Sequence, residues 1–222
     1  MSTADLPLGT LARSIPGATR VFHEYKFDFC CGGKQTLRQA ATARGVDPEA
    51  VAEQLEALHA QPGTSRDWRD ASAEELIEHI LARYHHRHRE QLPELIRLAR
   101  RVEQVHGERP ECPNGLADHL ATMQQELESH MLKEEQVLFP TILRGVLPPA
   151  PISVMRFEHD QHGAALAKLE RLTNDITLPK GACNTWRALY LGLATLRDDL
   201  MEHIHLENNI LFEGIARVGS DH

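Results

Sequence analysis

The chain has 222 residues, enough for one medium domain and a small one, and its 24 Lys+Arg against 32 Asp+Glu leave a formal charge of −8. That acidic balance argues against a nucleic-acid partner or an anionic membrane surface, and no apolar run approaches the ~20 residues that cross a bilayer. Four cysteines in this length do not make a disulfide scaffold, and the N-terminus lacks the basic and apolar stretches of a signal peptide, so a reducing cytoplasm is the expected compartment.

Residues 1–62 read as a small domain of short helices around Cys30-Cys31-Gly32-Gly33 and the apolar series Val51, Leu55 and Leu58. Adjacent cysteines disfavour a mutual disulfide, because their Cα atoms lie only ~3.8 Å apart across a trans peptide. Gly32-Gly33 permits a sharp turn, and a helix beginning near Lys34 would lower a thiol pKa through its N-terminal dipole. Cys30 and Cys31 are therefore candidate functional thiols, open to three readings: iron binding or relay, redox chemistry, or inert burial. A domain of roughly 60 residues is marginal alone, so it is expected to dock on the rest of the chain or on a second copy, with a homodimer as one expected assembly. Residues 60–71, with Pro62, Gly63 and no apolar period, read as a linker.

Four helical stretches occupy residues 72–218. The first runs from about Ser72, where Ser72-x-x-Glu75 forms a capping box, to His106, with Ile77, Leu81, His85, His88, Leu92 and Leu95 on its apolar stripe. The second spans about Asn114 to Arg144 with Leu120, Leu127, His130, Glu134, Val137 and Leu138 inward. The third is expected from about Ile152, after Pro148, Pro149 and Pro151, with Met155, His159, His162 and Leu166 inward. The fourth comes after Pro179 and Gly181 and carries Trp186, Leu189, Leu196, His203, Glu207 and Leu211. His86 and His205 fall off their stripes and are expected in solvent. The pattern predicts an all-α protein whose main part is a four-helix bundle with side chains projecting inward from facing helices.

A repeat runs through that bundle. His130-x-x-x-Glu134 is followed by Leu138-Phe139, and His203-x-x-x-Glu207 by Leu211-Phe212. A lone His precedes each, His85 by 45 residues and His159 by 44. Residues i and i+4 share a helix face, so each copy aims an imidazole and a carboxylate at one spot. A carboxylate in a core stripe costs several kcal/mol unless it is paired or binds metal, and Glu134 and Glu207 accept that cost at equivalent places. Four imidazoles and two carboxylates suit iron, and also zinc or manganese; no His-Glu-x-x-His motif is present, and no cysteine falls at a matching place in the two halves. Two ions held by six ligands would keep positions free for an oxo or hydroxo bridge and a small molecule. Spacing alone does not choose between His85 and His88, or between His159 and His162. Glu126 and Asp199 lie four residues before His130 and His203, and Glu158 adjoins His159, so each could accept the free N–H of a liganding imidazole or simply face solvent.

The residues Tyr25-x-x-Asp28-x-Cys30-Cys31-Gly32-Gly33, Tyr84-His85-x-x-His88-Arg89-x-x-Leu92-Pro93, Glu158-His159-Asp160 and His203-x-x-x-Glu207-Asn208-Asn209, with His130-x-x-x-Glu134, resemble the repair-of-iron-centres family over nearly the whole chain. The resemblance implies a hemerythrin-like bundle behind a di-cysteine domain, and a di-iron centre on His85, His130, Glu134, His159, His203 and Glu207 with both glutamates bridging. It further implies repair of iron–sulfur clusters damaged by oxidative or nitrosative stress, by donating iron to damaged or apo iron–sulfur proteins. The alternative it carries is binding or reduction of nitric oxide, or binding of oxygen, at the same centre, so the resemblance leaves open whether the chain is an enzyme.

Overall fold

The computed structural model describes residues 2–15, 17–30, 32–59, 68, 71–146 and 148–214. Cys31, most of the expected linker and residues 215–218 of the expected bundle lie outside the described residues. Among those described the structure is helical, with no strand beyond an isolated antiparallel bridge between Pro7 and Thr36. The chain packs as two compact units, one of residues 1–76 with 201–222 and one of residues 77–200.

The first unit contains α1 (Leu8–Ser14), α2 (Ala18–Glu24), α3 (Leu37–Ala43) and α4 (Pro48–His59). Thr36 and Gln39 close a reciprocal capping box at the start of α3. The segment ahead of α3 lies along the start of α1, tied by Leu8 N–H to Gln35 O and Gly9 N–H to Gly33 O, both 2.8 Å. Leu8, Leu11, Phe22, Phe27, Phe29, Leu37 and Leu55 fill the core. The helix expected to begin near Lys34 begins three residues later, as α3 at Leu37, and has seven residues. Gly33 serves close approach instead of a left-handed turn: a methyl group on it would stand 2.8 Å from Phe29 O and 3.2 Å from Asn209 Oδ1.

The second unit is built on four helical rods. The first rod is α5 (Ala73–Ile80), a π-turn (Leu81–His85) and α6 (His86–His106) in unbroken succession. The second is α7 (Leu116–Lys133), a π-turn (Glu134–Leu138) and α8 (Phe139–Leu143). The third is α9 (Pro149–Leu172). The fourth is α10 (Asn184–Leu206), followed by a π-turn (Glu207–Leu211) and α11 (Phe212–Gly214), of which residues up to Leu200 belong to this unit. Neighbouring rods run antiparallel. Arg89 meets Glu128 while Glu103 meets Ala117, and His119 meets Ala165 while His130 meets Glu158. Arg83 meets Asp199 while Gln91 meets Gly192, which closes the bundle. Its core is aliphatic around Trp186, with Leu92, Leu116, Leu120, Leu169, Leu189, Leu193 and Leu196 buried.

Helix α9 begins at Pro149, three residues before the expected Ile152, because a proline in the first helical turn gives up a donor that has no partner there. The capping box at the head of α5 is present, with Ser72 Oγ accepting from Glu75 N–H at 3.2 Å and Glu75 Oε2 accepting from Ser72 N–H at 3.0 Å. Ser72→Ala is expected to cost about 1 kcal/mol and lower the melting temperature by roughly 2–4 °C, read by circular dichroism.

Candidate metal centre

Both His-x-x-x-Glu copies take the same backbone form. His130 and His203 sit in the last turn of α7 and α10, and Glu134 and Glu207 are each the first residue of a π-turn. Leu138 and Leu211 close those π-turns, and Phe139 and Phe212 begin the next helix, which is what the repeated Leu-Phe marks. A π-turn inserts one residue and rotates the helix downstream of it. Val137, expected inward, is therefore 58% exposed, while Leu138, Phe139 and Ile142 are buried. A third π-turn ends at His85 and brings Tyr84 and His85 inward side by side.

In the second unit four of the candidate residues meet. His85 Nε2 lies 3.4 Å from Glu134 Oε2, His130 Nε2 lies 3.2 Å from Glu134 Oε1, and His130 Nε2 lies 3.0 Å from His159 Nε2. The ligand atoms of His130, Glu134 and His159 fall within 4.8 Å of one another. Each of the four side chains is at most 1% exposed. His162 is buried edge-on against the His130 ring at 4.8 Å, and His88 is buried one turn past His85, at a cavity of about 510 Å³ lined also by Arg89, Leu92, Gln124, Glu128 and Met131.

Hydrogen bonds on the far side of two rings fix their tautomers. Glu135 Oε1 accepts from His85 Nδ1 at 2.7 Å, and Glu158 Oε2 accepts from His130 Nδ1 at 2.8 Å. With the proton on Nδ1, each ring directs its Nε2 at Glu134, and as a neutral imidazole it would offer a lone pair there to a metal ion. Imidazole nitrogens and a buried carboxylate within ligand distance of one another are a donor set that suits a cation. Each accepting carboxylate is itself backed by a cation. Burial pushes the Glu135 carboxyl up, but the Arg89 guanidinium at 2.8 Å and His85 prevail and hold it below the usual range. Lys133 and His130 do the same for Glu158 against its burial.

In the first unit His203 Nε2 stands 3.1 Å from Glu207 Oε1, both at most 1% exposed. The next residues turn to the N-terminal segment: Asn208 Nδ2 donates to Cys30 O at 3.1 Å, and Asn209 Nδ2 lies 3.5 Å from Phe29 O and 3.0 Å from His205 Nδ1. His205, expected in solvent, is 2% exposed and packs edge-on against Phe29. Burial and the nearby Arg13 push its pKa down to about 3, so the neutral ring accepts from Asn209. Cys30 is a buried thiol whose Sγ donates to Asp28 Oδ1 at 3.4 Å.

Two carboxylate expectations need correction. Glu126 is exposed, and the Nδ1 proton of His130 goes to Glu158. Asp199 is buried, but its oxygens are engaged by Arg83 at 2.7 Å and Arg87 at 2.8 Å, which fasten the His85 π-turn region to α10.

Residues 76–215 match the model of the hemerythrin HHE cation binding domain, and residues 4–59 match that of a domain of unknown function, DUF542. An iron-sulfur cluster repair protein YtfE of Dickeya chrysanthemi is 54% identical over 219 residues, covering 98% of this chain and 99% of that one. YtfE proteins of Yersinia pseudotuberculosis and Yersinia pestis match at the same identity and coverage. The chain belongs to the YtfE family of hemerythrin-domain proteins. In this YtfE-family chain the sequence pattern alone does not single out Glu135, Asn208 or Asn209. Glu135 nonetheless carries a signal: it stands directly after a repeat carboxylate, and Arg89 lies at the helix position facing it. Glu135→Ala is expected to weaken iron binding about 10–100-fold, while Glu126→Ala leaves it unchanged, measured by competition with a chelator.

Proposed function

We propose that the protein holds two iron ions on His85, His130, Glu134, His159, His203 and Glu207, and that it repairs iron–sulfur clusters damaged by oxidative or nitrosative stress by giving up iron to damaged or apo iron–sulfur proteins. The observation that carries the reading is the convergence of imidazole Nε2 atoms on buried Glu134, repeated in form by His203 and Glu207. The His/Glu cluster and the hemerythrin-type domain support a di-iron site. Both glutamates serve as bridges in this reading, beside an oxo or hydroxo group. The relatives' printed name supports the repair role.

The protein's own contribution is to hold imidazoles in one tautomer. Glu135 and Glu158 keep Nδ1 protonated so that Nε2 is available, and Arg89 and Lys133 keep those carboxylates ionised. Imidazole and carboxylate, with no thiolate among the six, make a set from which ferrous iron can be surrendered to a thiolate-rich acceptor. The four-helix part (72–218) carries the iron, and the di-cysteine part (1–62) contributes Cys30 and Cys31 as accessory thiols. No helix among the described residues is long and apolar enough to cross a membrane; the proposed setting is the cytoplasm, and the proposed assembly a homodimer.

The small ligand set favours one second reading. Six protein ligands for two ions leave positions open to nitric oxide or oxygen. Mixing ferrous-loaded protein with an apo iron–sulfur protein under anaerobic conditions separates the two. Cluster reconstitution at the acceptor supports repair. In a parallel sample given nitric oxide and a chemical electron donor, repeated turnover of two nitric oxide, two electrons and two protons to nitrous oxide and water, with no iron transferred, would replace repair by gas chemistry.

A further inference from the structure

In both copies the residue after the repeat carboxylate grips something other than metal. Glu134 opens the first π-turn, and the next residue, Glu135, takes the Nδ1 proton of His85. Asn208 stands 73 residues after Glu135, the offset that separates Glu134 from Glu207. It is the second residue of its π-turn, 8% exposed, and its amide donates to the carbonyl of Cys30. The repeat therefore uses one backbone device twice: a carboxylate directed at the metal and, one residue on, a side chain fixing a second group. In the first copy that group is an imidazole, and in the second it is the backbone of a thiol residue.

The grip on the thiol segment is reinforced. Asn209 spans Phe29 O and His205 Nδ1, and Arg13 Nη1 lies 3.4 Å from Asn209 O. Gly9 and Gly33 leave the room: a methyl group on Gly9 would fall 2.5 Å from Asn209 Oδ1. Phe29 and Cys30 are 0% and 4% exposed. Asn208 is one peptide bond from Glu207, the candidate metal ligand, and both belong to the same five-residue π-turn. Single π-turns inside α-helices recur at functional sites.

We propose that Asn208 is a positioning residue that couples occupancy of the Glu207 metal ligand to the reactivity of the Cys30 segment. With iron on Glu207 the π-turn is fixed, Asn208 holds the Cys30 carbonyl, and the thiol stays buried. When iron leaves, Glu207 is released, the clamp loosens, and Cys30 opens to solvent. The thiol segment thus reads whether the centre is full or spent. The inference rests on the proposed di-iron centre.

Alkylation of the full-length chain by iodoacetamide, resolved by mass spectrometry of the Cys30 peptide, tests it under anaerobic conditions. Ferrous-loaded and chelated samples are compared, with iron content measured on each. In the wild type, Cys30 alkylation is expected to speed up at least about tenfold on iron removal, the factor that loss of one buried hydrogen bond commands. Asn208→Ala should alkylate fast in both states while keeping its iron. Asn208→Asp, which fills the same space without the donor, should behave the same way and guards against a cavity effect. Alkylation of part-exposed Cys183 in the second unit should not change, which separates local opening from unfolding. A Cys30 rate indifferent to iron in an iron-binding wild type, or full iron sensitivity retained in both variants, overturns the coupling and leaves the di-iron reading standing. A chain that binds no iron overturns both.

Discussion

Glu134→Gln is expected to abolish metal binding: from the proposed two irons per chain to below about 0.2 after desalting, with the helical content unchanged. The expectation rests on where the carboxylate stands. His85 and His130 reach its two oxygens from opposite sides, at 3.4 and 3.2 Å. In the di-iron reading it is shared by both ions, so its loss is felt at both. It is also one of only two anionic side chains among six ligands, and an amide of the same shape supplies neither the charge nor a bridge. Glu126→Gln, the same chemical change on the same helix one turn from His130 and exposed, should keep full iron. Atomic emission on the three proteins checks both expectations together.

The same substitution is expected to change sign in stability when metal is removed. With iron present, wild type gains ligand-linked stability, ~2.7 kcal/mol at a free-metal concentration 100 times Kd, and Glu134→Gln forfeits it. In the chelated state the wild-type carboxylate is fully buried beside lone pairs, and neutral glutamine should be the more stable by ~1–4 kcal/mol, several degrees in melting temperature for a chain of this size. The rival account is a structural ion pair in which His85 and His130 carry protons for Glu134. Breaking such a pair leaves an uncompensated buried charge and costs ~3–5 kcal/mol in every sample. Thermal melts of wild type and Glu134→Gln, each with iron and with chelator, therefore distinguish a metal site from a buried salt bridge by sign.

The bundle and the two His-x-x-x-Glu pairs are legible in the sequence because they repeat, and the histidine ahead of each pair is legible to within one helical turn. Two copies of His-x-x-x-Glu with equal offsets and equal Leu-Phe flanks are a pattern that periodicity exposes, and the apolar stripes between them define the rods. What periodicity hides is a change of period. A straight helical count places Val137 inward, and the π-turn at Glu134 turns it to solvent. The spacing leaves His85 against His88 open, and the tertiary arrangement brings His85 to Glu134 at 3.4 Å. Burial imposed by another segment is equally invisible locally: His205 lies off its own stripe and is covered by Phe29, 176 residues earlier in the chain. The orienting carboxylates fail the same way. For His130 an i−4 rule points to Glu126, whereas its carboxylate comes from a facing rod, Glu158, which the sequence offers only as the neighbour of His159; the carboxylate on His85, Glu135, also comes from a facing rod. Short polar motifs just after a ligand, such as Asn208-Asn209, carry no periodic signal; their targets, Cys30 O and Phe29 O, are known only from the fold.

Metal content of the untreated protein is the most direct test of the central claim. Protein purified without chelators from iron-replete cells should contain about two irons per chain, and Glu134→Gln purified alongside it almost none. Well under one iron per chain together with stoichiometric zinc would contradict the di-iron centre and the repair function built on it.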